Sequence, residues 1–152
     1  MRKKILLVLV AIIVIIQFIR PSRNISNEVS ANDITSLYNV PPDVQHVLKV
    51  SCNDCHSNNT HYPWYTNIQP IGWWMQFHVD GGKYHLNFSS FGTYDKERQH
   101  HKMEEVIEQV KGGHMPLNSY LWMHDEAKLS QQQKDLLITW AQGLMKQIQQ
   151  TY

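Results

Sequence analysis

The only two cysteines of the chain stand three positions apart, in the run Cys52-Asn53-Asp54-Cys55-His56. Thiols at this spacing lie about one helical turn apart, and an imidazole follows the second thiol directly. Each thiol can form a thioether to a vinyl group of haem, while the imidazole binds the iron from one face. This C-x-x-C-H motif predicts one covalently attached haem c, with Cys52 and Cys55 as attachment sites and His56 as an axial iron ligand.

Three other uses of the same residues compete with haem. A thioredoxin-like dithiol would need a βαβ context around the motif, and the sequence offers none. A zinc site would find three ligands here, but no second C-x-x-C or H-x-x-x-H pair completes the usual four. A disulfide between the two cysteines would close a tight and strained loop. We favour haem over all three.

The function then depends on the second axial ligand of the iron. The best candidate is Met115, in a non-helical Gly-Gly-His-Met-Pro loop in which the proline fixes the chain direction. A methionine sulfur opposite histidine favours reduced iron and raises the potential, as electron carriers often require. Ordinary packing is the competing role for Met115. His78, His114 and His124 are the alternative ligands, and each would give bis-histidine iron of lower potential.

The elements that position these residues are predicted to be helices. Apolar residues at helical spacing predict a short helix from Pro42 that delivers Cys52, and a second from Pro70 that ends at Gly81 and Gly82. A third helix is predicted over residues 95–111, and a last one opens with a Ser130–Gln133 capping box. No segment alternates apolar and polar residues as a strand would, so we expect an all-α domain.

The N-terminus carries Arg2, Lys3 and Lys4, followed by an apolar run from Ile5 to Ile19 that only Gln17 interrupts. This pattern is typical of a membrane-targeting segment. Fifteen helical residues reach about 22 Å, short of the ~30 Å hydrocarbon core, but no cleavage site follows closely. We therefore expect a transmembrane or signal-anchor helix. The positive cluster predicts a single-pass protein of the bacterial cytoplasmic (inner) membrane with its C-terminal domain in the periplasm.

The remaining length suffices for one domain. We divide the sequence into a membrane anchor or signal segment over residues 1–20, a polar linker over 21–40, and a haem-binding domain over 41–152. Ten of the fourteen basic residues and all thirteen acidic residues lie beyond Arg20, which gives this part a formal charge of −3. A negative domain argues against nucleic acid as a partner, since nucleic-acid binding needs a basic face.

Several short stretches of the chain match those of a known family. They are Val40-Pro41-Pro42, residues 51–58 around the motif, 62–65, 86–89, Met115-Pro116 and Leu129-Ser130. In these the chain resembles the haem-binding domain family, bacterial single-haem proteins common in Bacteroidetes. The resemblance implies haem c and a cytochrome c-like layout, with the haem motif early, a Met-Pro loop late, and a closing helix that bears an aromatic residue, here Trp140.

We predict a membrane-anchored c-type haem protein that passes single electrons between redox partner proteins, and no enzyme. No nucleophile or paired-carboxylate signature contradicts that assignment. A haem-based sensor, in which a small gas binds five-coordinate iron, is the first alternative. A peroxidase is the less favoured one, because it would need an open distal face and an acid–base residue such as His78 or His114.

Overall fold

The computed structural model describes residues 1–26 and 28–150, and every regular element within them is a helix. The all-α prediction is confirmed. The α-helices in chain order are α1 (Arg2–Ile16), α2 (Ile34–Leu37), α3 (Pro42–Ser51), α4 (Asn53–His56), α5 (Ile71–His85), α6 (Lys96–Lys111), α7 (Asn118–Leu121) and α8 (Gln131–Gln149). Short 3₁₀ helices cover Trp64–Asn67, Phe88–Thr93 and Asp125–Ala127.

The longer helices start where the sequence carries capping signals. Pro42 occupies the first turn of α3, a position where its missing N–H costs nothing. The Asp95 carboxylate accepts from the Arg98 N–H at 2.7 Å and caps α6. In α8 the predicted capping box forms, because the Ser130 and Gln133 side chains each accept from the other's backbone N–H.

The core lies where α6 and α8 pack along each other and α3 contacts α8. Met103 from α6 and Leu137 and Ala141 from α8 are fully buried there. Phe91 is also fully buried, and the rings of Tyr38 and Tyr94 meet it edge-on at 6.1 and 5.8 Å. This core supports one side of the C-x-x-C-H motif, since Cys52 packs against it.

The segment predicted to be a linker, residues 21–40, contributes to this folded unit. Ile34, Tyr38 and Val40 belong to the core. Asn24 donates through its side chain to the Ser57 carbonyl at 2.8 Å and accepts from the Lys83 ammonium. The segment is polar in composition, and both its apolar side chains and its hydrogen bonds hold it against the domain.

The predicted transmembrane helix is wrong. α1 has fifteen residues and ends at Ile16, and within residues 1–26 and 28–150 no helix combines the length and apolarity that crossing a bilayer requires. Beyond it the chain is tied to the domain. The Gln17 side-chain amide donates to the Gln69 carbonyl at 3.1 Å and accepts from the Gln69 N–H at 2.9 Å, and the Trp73 indole donates to the Ile19 carbonyl at 2.7 Å. The single-pass inner-membrane location rested on that helix and is wrong with it.

Candidate functional site

The C-x-x-C-H motif folds as a single helical turn that begins where α3 ends. Cys52 breaks the helix at φ −129°, ψ −43°, and its carbonyl then accepts from the N–H groups of Cys55 and His56 at 3.1 and 3.0 Å. At 100° per residue, positions 52, 55 and 56 fall on one face of this turn, and positions 53, 54 and 57 fall on the opposite face. Both thiols and the imidazole therefore share one face of α4.

The opposite face of α4 borders a cavity of about 720 Å³. Asn53, Asp54 and Ser57 line it together with residues of α3 and of the 26–35 segment, whereas Cys52, Cys55 and His56 do not. The cavity and the predicted haem-binding residues are thus separated by the helix itself.

The two thiols are free in the structure. Desolvation by burial raises the pKa of Cys52 to about 12, and its neighbour Cys55 adds to the shift. Burial, with the nearby Asp54 carboxylate second, raises the pKa of Cys55 to about 11. A disulfide oxidoreductase needs the opposite shift, a thiolate at neutral pH. The dithiol alternative is therefore disfavoured.

A zinc site gains no support either. Among the residues that the structure describes, no three side chains of the His, Cys, Asp or Glu types gather closely enough to hold a metal ion. Two thiols and one imidazole on a single helical turn leave a tetrahedral ion without its fourth protein ligand.

The imidazole of His56 is oriented by a backbone carbonyl. Its Nδ1 lies 2.9 Å from the oxygen of Leu86, and because a carbonyl only accepts, Nδ1 carries the proton. The Nε2 atom is then unprotonated, as a metal-binding nitrogen must be. Burial lowers the pKa of His56, which favours the neutral ring that metal binding requires. The ring of Phe88 meets it edge-on at 6.4 Å.

The Leu86 carbonyl is itself held in place. The Leu86 N–H donates to the Gly82 carbonyl at the end of α5 at 2.9 Å. The Asn87 side chain accepts from the Ser89 N–H at 3.0 Å and donates to the Asn58 side chain at 2.8 Å. The 86–89 segment is thereby joined to α5 and to the loop that follows the motif. The Leu86 carbonyl that His56 contacts is therefore held in place.

Helix α5 approaches α4 closely at Gly82. A β-carbon at that position would stand 2.5 Å from the Cys55 carbonyl oxygen, a distance that real side chains do not adopt.

One side of α5 next to this contact carries no charged residue, and we call it the α5 flank. At helical spacing it comprises Ile71, Trp74, Phe77, His78, Gly81, Tyr84 and His85.

The α5 flank exposes large aromatic side chains, which proteins usually bury. Phe77 and Tyr84 are 73% and 80% exposed, and Trp64 and Trp122 outside α5 are 73% and 78% exposed. Large aromatic side chains in this density on a surface mark a place where an apolar partner binds. His85 of the flank lies close enough to His56 to lower its pKa electrostatically, so this surface adjoins the C-x-x-C-H face.

Met115 lies just beyond the end of α6. The N–H groups of His114 and Met115 both donate to the Gln109 carbonyl, at 2.9 and 3.2 Å. Gly113 has φ +70°, a left-handed turn that ends the helix and that other residues rarely adopt. Five residues after Met115, the Tyr120 hydroxyl donates to the Asp54 carboxylate at 2.7 Å. The segment that carries Met115 is in this way joined to the motif.

The three alternative histidines are placed differently. His124 is buried, and both of its ring nitrogens are engaged, with the Tyr120 carbonyl at 3.1 Å and the Tyr65 hydroxyl at 3.3 Å. His114 is exposed on its loop. His78 bonds the Trp74 carbonyl of its own helix at 2.8 Å and lies on the α5 flank. Of the three, His124 would have to give up a hydrogen bond to bind iron.

Two free thiols, a neutral imidazole oriented by a backbone carbonyl, and an exposed uncharged aromatic surface fit a haem. An all-helical domain with such a site belongs to the class of haem-binding proteins. A family model described as a haem-binding domain matches residues 11–143, and the chain belongs to this family. The predicted family resemblance is confirmed. No curated protein matches the chain, and no solved structure does either.

The sequence did not reveal the residues that orient this site. Leu86 acts through its carbonyl and Gly82 through its missing side chain, so neither leaves a chemical signature in the sequence. Asp54 and Tyr120 lie 66 positions apart, and nothing in either stretch indicates that they meet. The Leu86-to-Ser89 stretch was found as part of the family resemblance, but without a role.

Proposed function

We propose that this haem-binding protein holds haem c covalently through Cys52 and Cys55 and carries single electrons between redox partner proteins. The observation that carries the proposal is the single turn of α4, which holds both thiols close in sequence to an imidazole whose Nδ1 is engaged by the Leu86 carbonyl. Both thiols are uncharged at neutral pH, and neither is committed to a disulfide.

In this proposal His56 and Met115 would be the two protein ligands of the haem iron. Bound haem supplies an iron that accepts and releases one electron. The Nδ1–H of His56 donates to the Leu86 carbonyl, and this hydrogen bond fixes the plane of the ring and raises the basicity of Nε2. Met115 offers an uncharged, soft sulfur from a loop that is anchored at the end of α6.

The α5 flank has a role in the same proposal. Its aromatic side chains would cover the apolar macrocycle and exclude water, which stabilises the bound group and the fold together. A carrier needs no substrate pocket, and the 720 Å³ cavity on the far side of α4 is not required for the reaction.

A visible and near-infrared spectrum of the protein, produced with a haem-maturation system, tests the proposal. We expect the spectrum of a six-coordinate low-spin haem c with a sulfur-to-iron charge-transfer band in the oxidised state. Carbon monoxide should leave the reduced protein unchanged. High-spin iron or ready carbon monoxide binding would refute the carrier in favour of a gas sensor, and a colourless matured protein would refute haem c altogether.

A further inference from the structure

The carboxylate of Asp54, between the two cysteines of the motif, makes two hydrogen bonds to other segments. Its Oδ2 accepts from the Tyr120 hydroxyl at 2.7 Å, and its Oδ1 accepts from the His61 N–H at 2.9 Å. The Asp54 carbonyl also accepts from the Thr60 hydroxyl at 2.6 Å. One residue of the motif thus joins α4, the loop that follows it, and α7.

Tyr120 is held firmly at its other end. Its ring stacks on the ring of His124 with centroids 4.0 Å apart and planes inclined by 10°. His124 bonds the Tyr120 carbonyl and the Tyr65 hydroxyl and is only 7% exposed. The tyrosine therefore presents its hydroxyl to Asp54 from a packed and hydrogen-bonded position.

Met115 lies between two fixed points of the chain. On one side its own N–H is bonded to the Gln109 carbonyl, and on the other side Tyr120 follows five residues later. Five residues of chain span at most about 18 Å. A bond from Tyr120 to the residue next to Cys55 consequently limits how far Met115 can move away from the motif.

We propose that Asp54 and Tyr120 are positioning residues, whose hydrogen bond holds the segment carrying Met115 close to the C-x-x-C-H helix. This inference rests on the proposed function, in which Met115 is the second iron ligand. The pair acts on the iron through Met115, so its removal changes how easily the sulfur is displaced and leaves covalent attachment intact.

The test is the affinity of the oxidised, matured full-length protein for imidazole, which competes with the Met115 sulfur for iron. Tyr120→Phe removes one hydroxyl and keeps the ring that stacks on His124. We expect imidazole to bind about tenfold more tightly to this variant. The Tyr120 hydroxyl bonds a charged acceptor while Met115 is bound to iron, so removal of the hydroxyl destabilises the methionine-bound state and leaves the imidazole-bound state unchanged. Tyr62→Phe is the matched control, since its hydroxyl bonds Gln76 and Asn24 instead, and its affinity should equal that of the unchanged protein.

Asp54→Asn is the second variant, and it provides a result if Tyr120→Phe does not fold. The amide oxygen can still accept from the His61 N–H, but Tyr120 then faces an NH2 donor and loses its bond to a charged acceptor, so imidazole affinity should again rise. Wild-type imidazole affinity in either folded variant would overturn the positioning role while leaving the Met115 assignment intact. Absence of the sulfur-to-iron band from the unchanged protein would overturn the Met115 assignment and this inference with it.

Discussion

The imidazole Nδ1 of His56 and the carbonyl oxygen of Leu86 are 2.9 Å apart, although thirty positions separate the two residues in the chain. This bond fixes the tautomer of His56, because a carbonyl can only accept. It also joins the motif to the end of α5, whose Gly82 carbonyl accepts from the Leu86 N–H. Backbone geometry outside the motif therefore determines which nitrogen of His56 is available for the proposed iron bond.

Replacement of His56 tests its role as an axial ligand. In His56→Ala we expect haem to remain attached through the two cysteines but the low-spin spectrum to be lost, because the iron has lost a nitrogen ligand. Added imidazole should restore the low-spin spectrum by filling the space that the side chain leaves. His101→Ala is the control, since that exposed histidine pairs with Glu104 and Glu105 of its own helix and belongs to no part of the site. A low-spin spectrum in His56→Ala without imidazole would contradict the assignment.

Replacement of the two cysteines tests covalent attachment. In the double variant Cys52→Ala with Cys55→Ala, no haem should remain on the chain after denaturing electrophoresis, because no thioether can form. Each single variant serves as the control and should keep haem through one bond. Covalent haem on the double variant would show that another group attaches it.

Replacement of Met115 tests the second ligand. Met115→Ala should abolish the sulfur-to-iron charge-transfer band of the oxidised protein and lower the potential by on the order of 0.1 V, well within the range that axial ligands span. Met123→Ala is the control, because this methionine lies on the surface with 61% of its side chain exposed. An unchanged spectrum in Met115→Ala, read beside that control, would assign the position to a histidine instead.

The sequence predicted those parts of the fold that depend on local signals. The starts of α3, α6 and α8 carry a proline or a capping side chain, and these helices begin where the signals stand. The sequence did not predict element boundaries that tertiary contacts determine. α5 was predicted to end at Gly81 and Gly82 but continues to His85, since Gly82 is a point of close helix contact and does not act as a stop.

In the functional site, too, local sequence signals were informative and tertiary contacts were not predicted. Residue types and spacing were enough to indicate haem, because the motif holds two thiols for thioether attachment and an imidazole for iron within five residues. The apolar N-terminal run was misread for a related reason. Composition describes how apolar a helix is, but the place where α1 ends depends on Gln17 and its partner Gln69, which lies far along the chain.

The contact between Gly82 and Cys55 yields a prediction about stability. In Gly82→Ala the new methyl group would stand 2.5 Å from the Cys55 carbonyl, and α5 must move away from α4. We expect a loss of about 1–3 kcal/mol in the free energy of unfolding, the usual cost of overpacking. Gly143→Ala is the control, because this residue of α8 faces open space and alanine favours a helix by about 0.5–1 kcal/mol. Urea unfolding of the matured proteins measures both, and a Gly82→Ala variant as stable as Gly143→Ala would show that the two helices tolerate a wider separation.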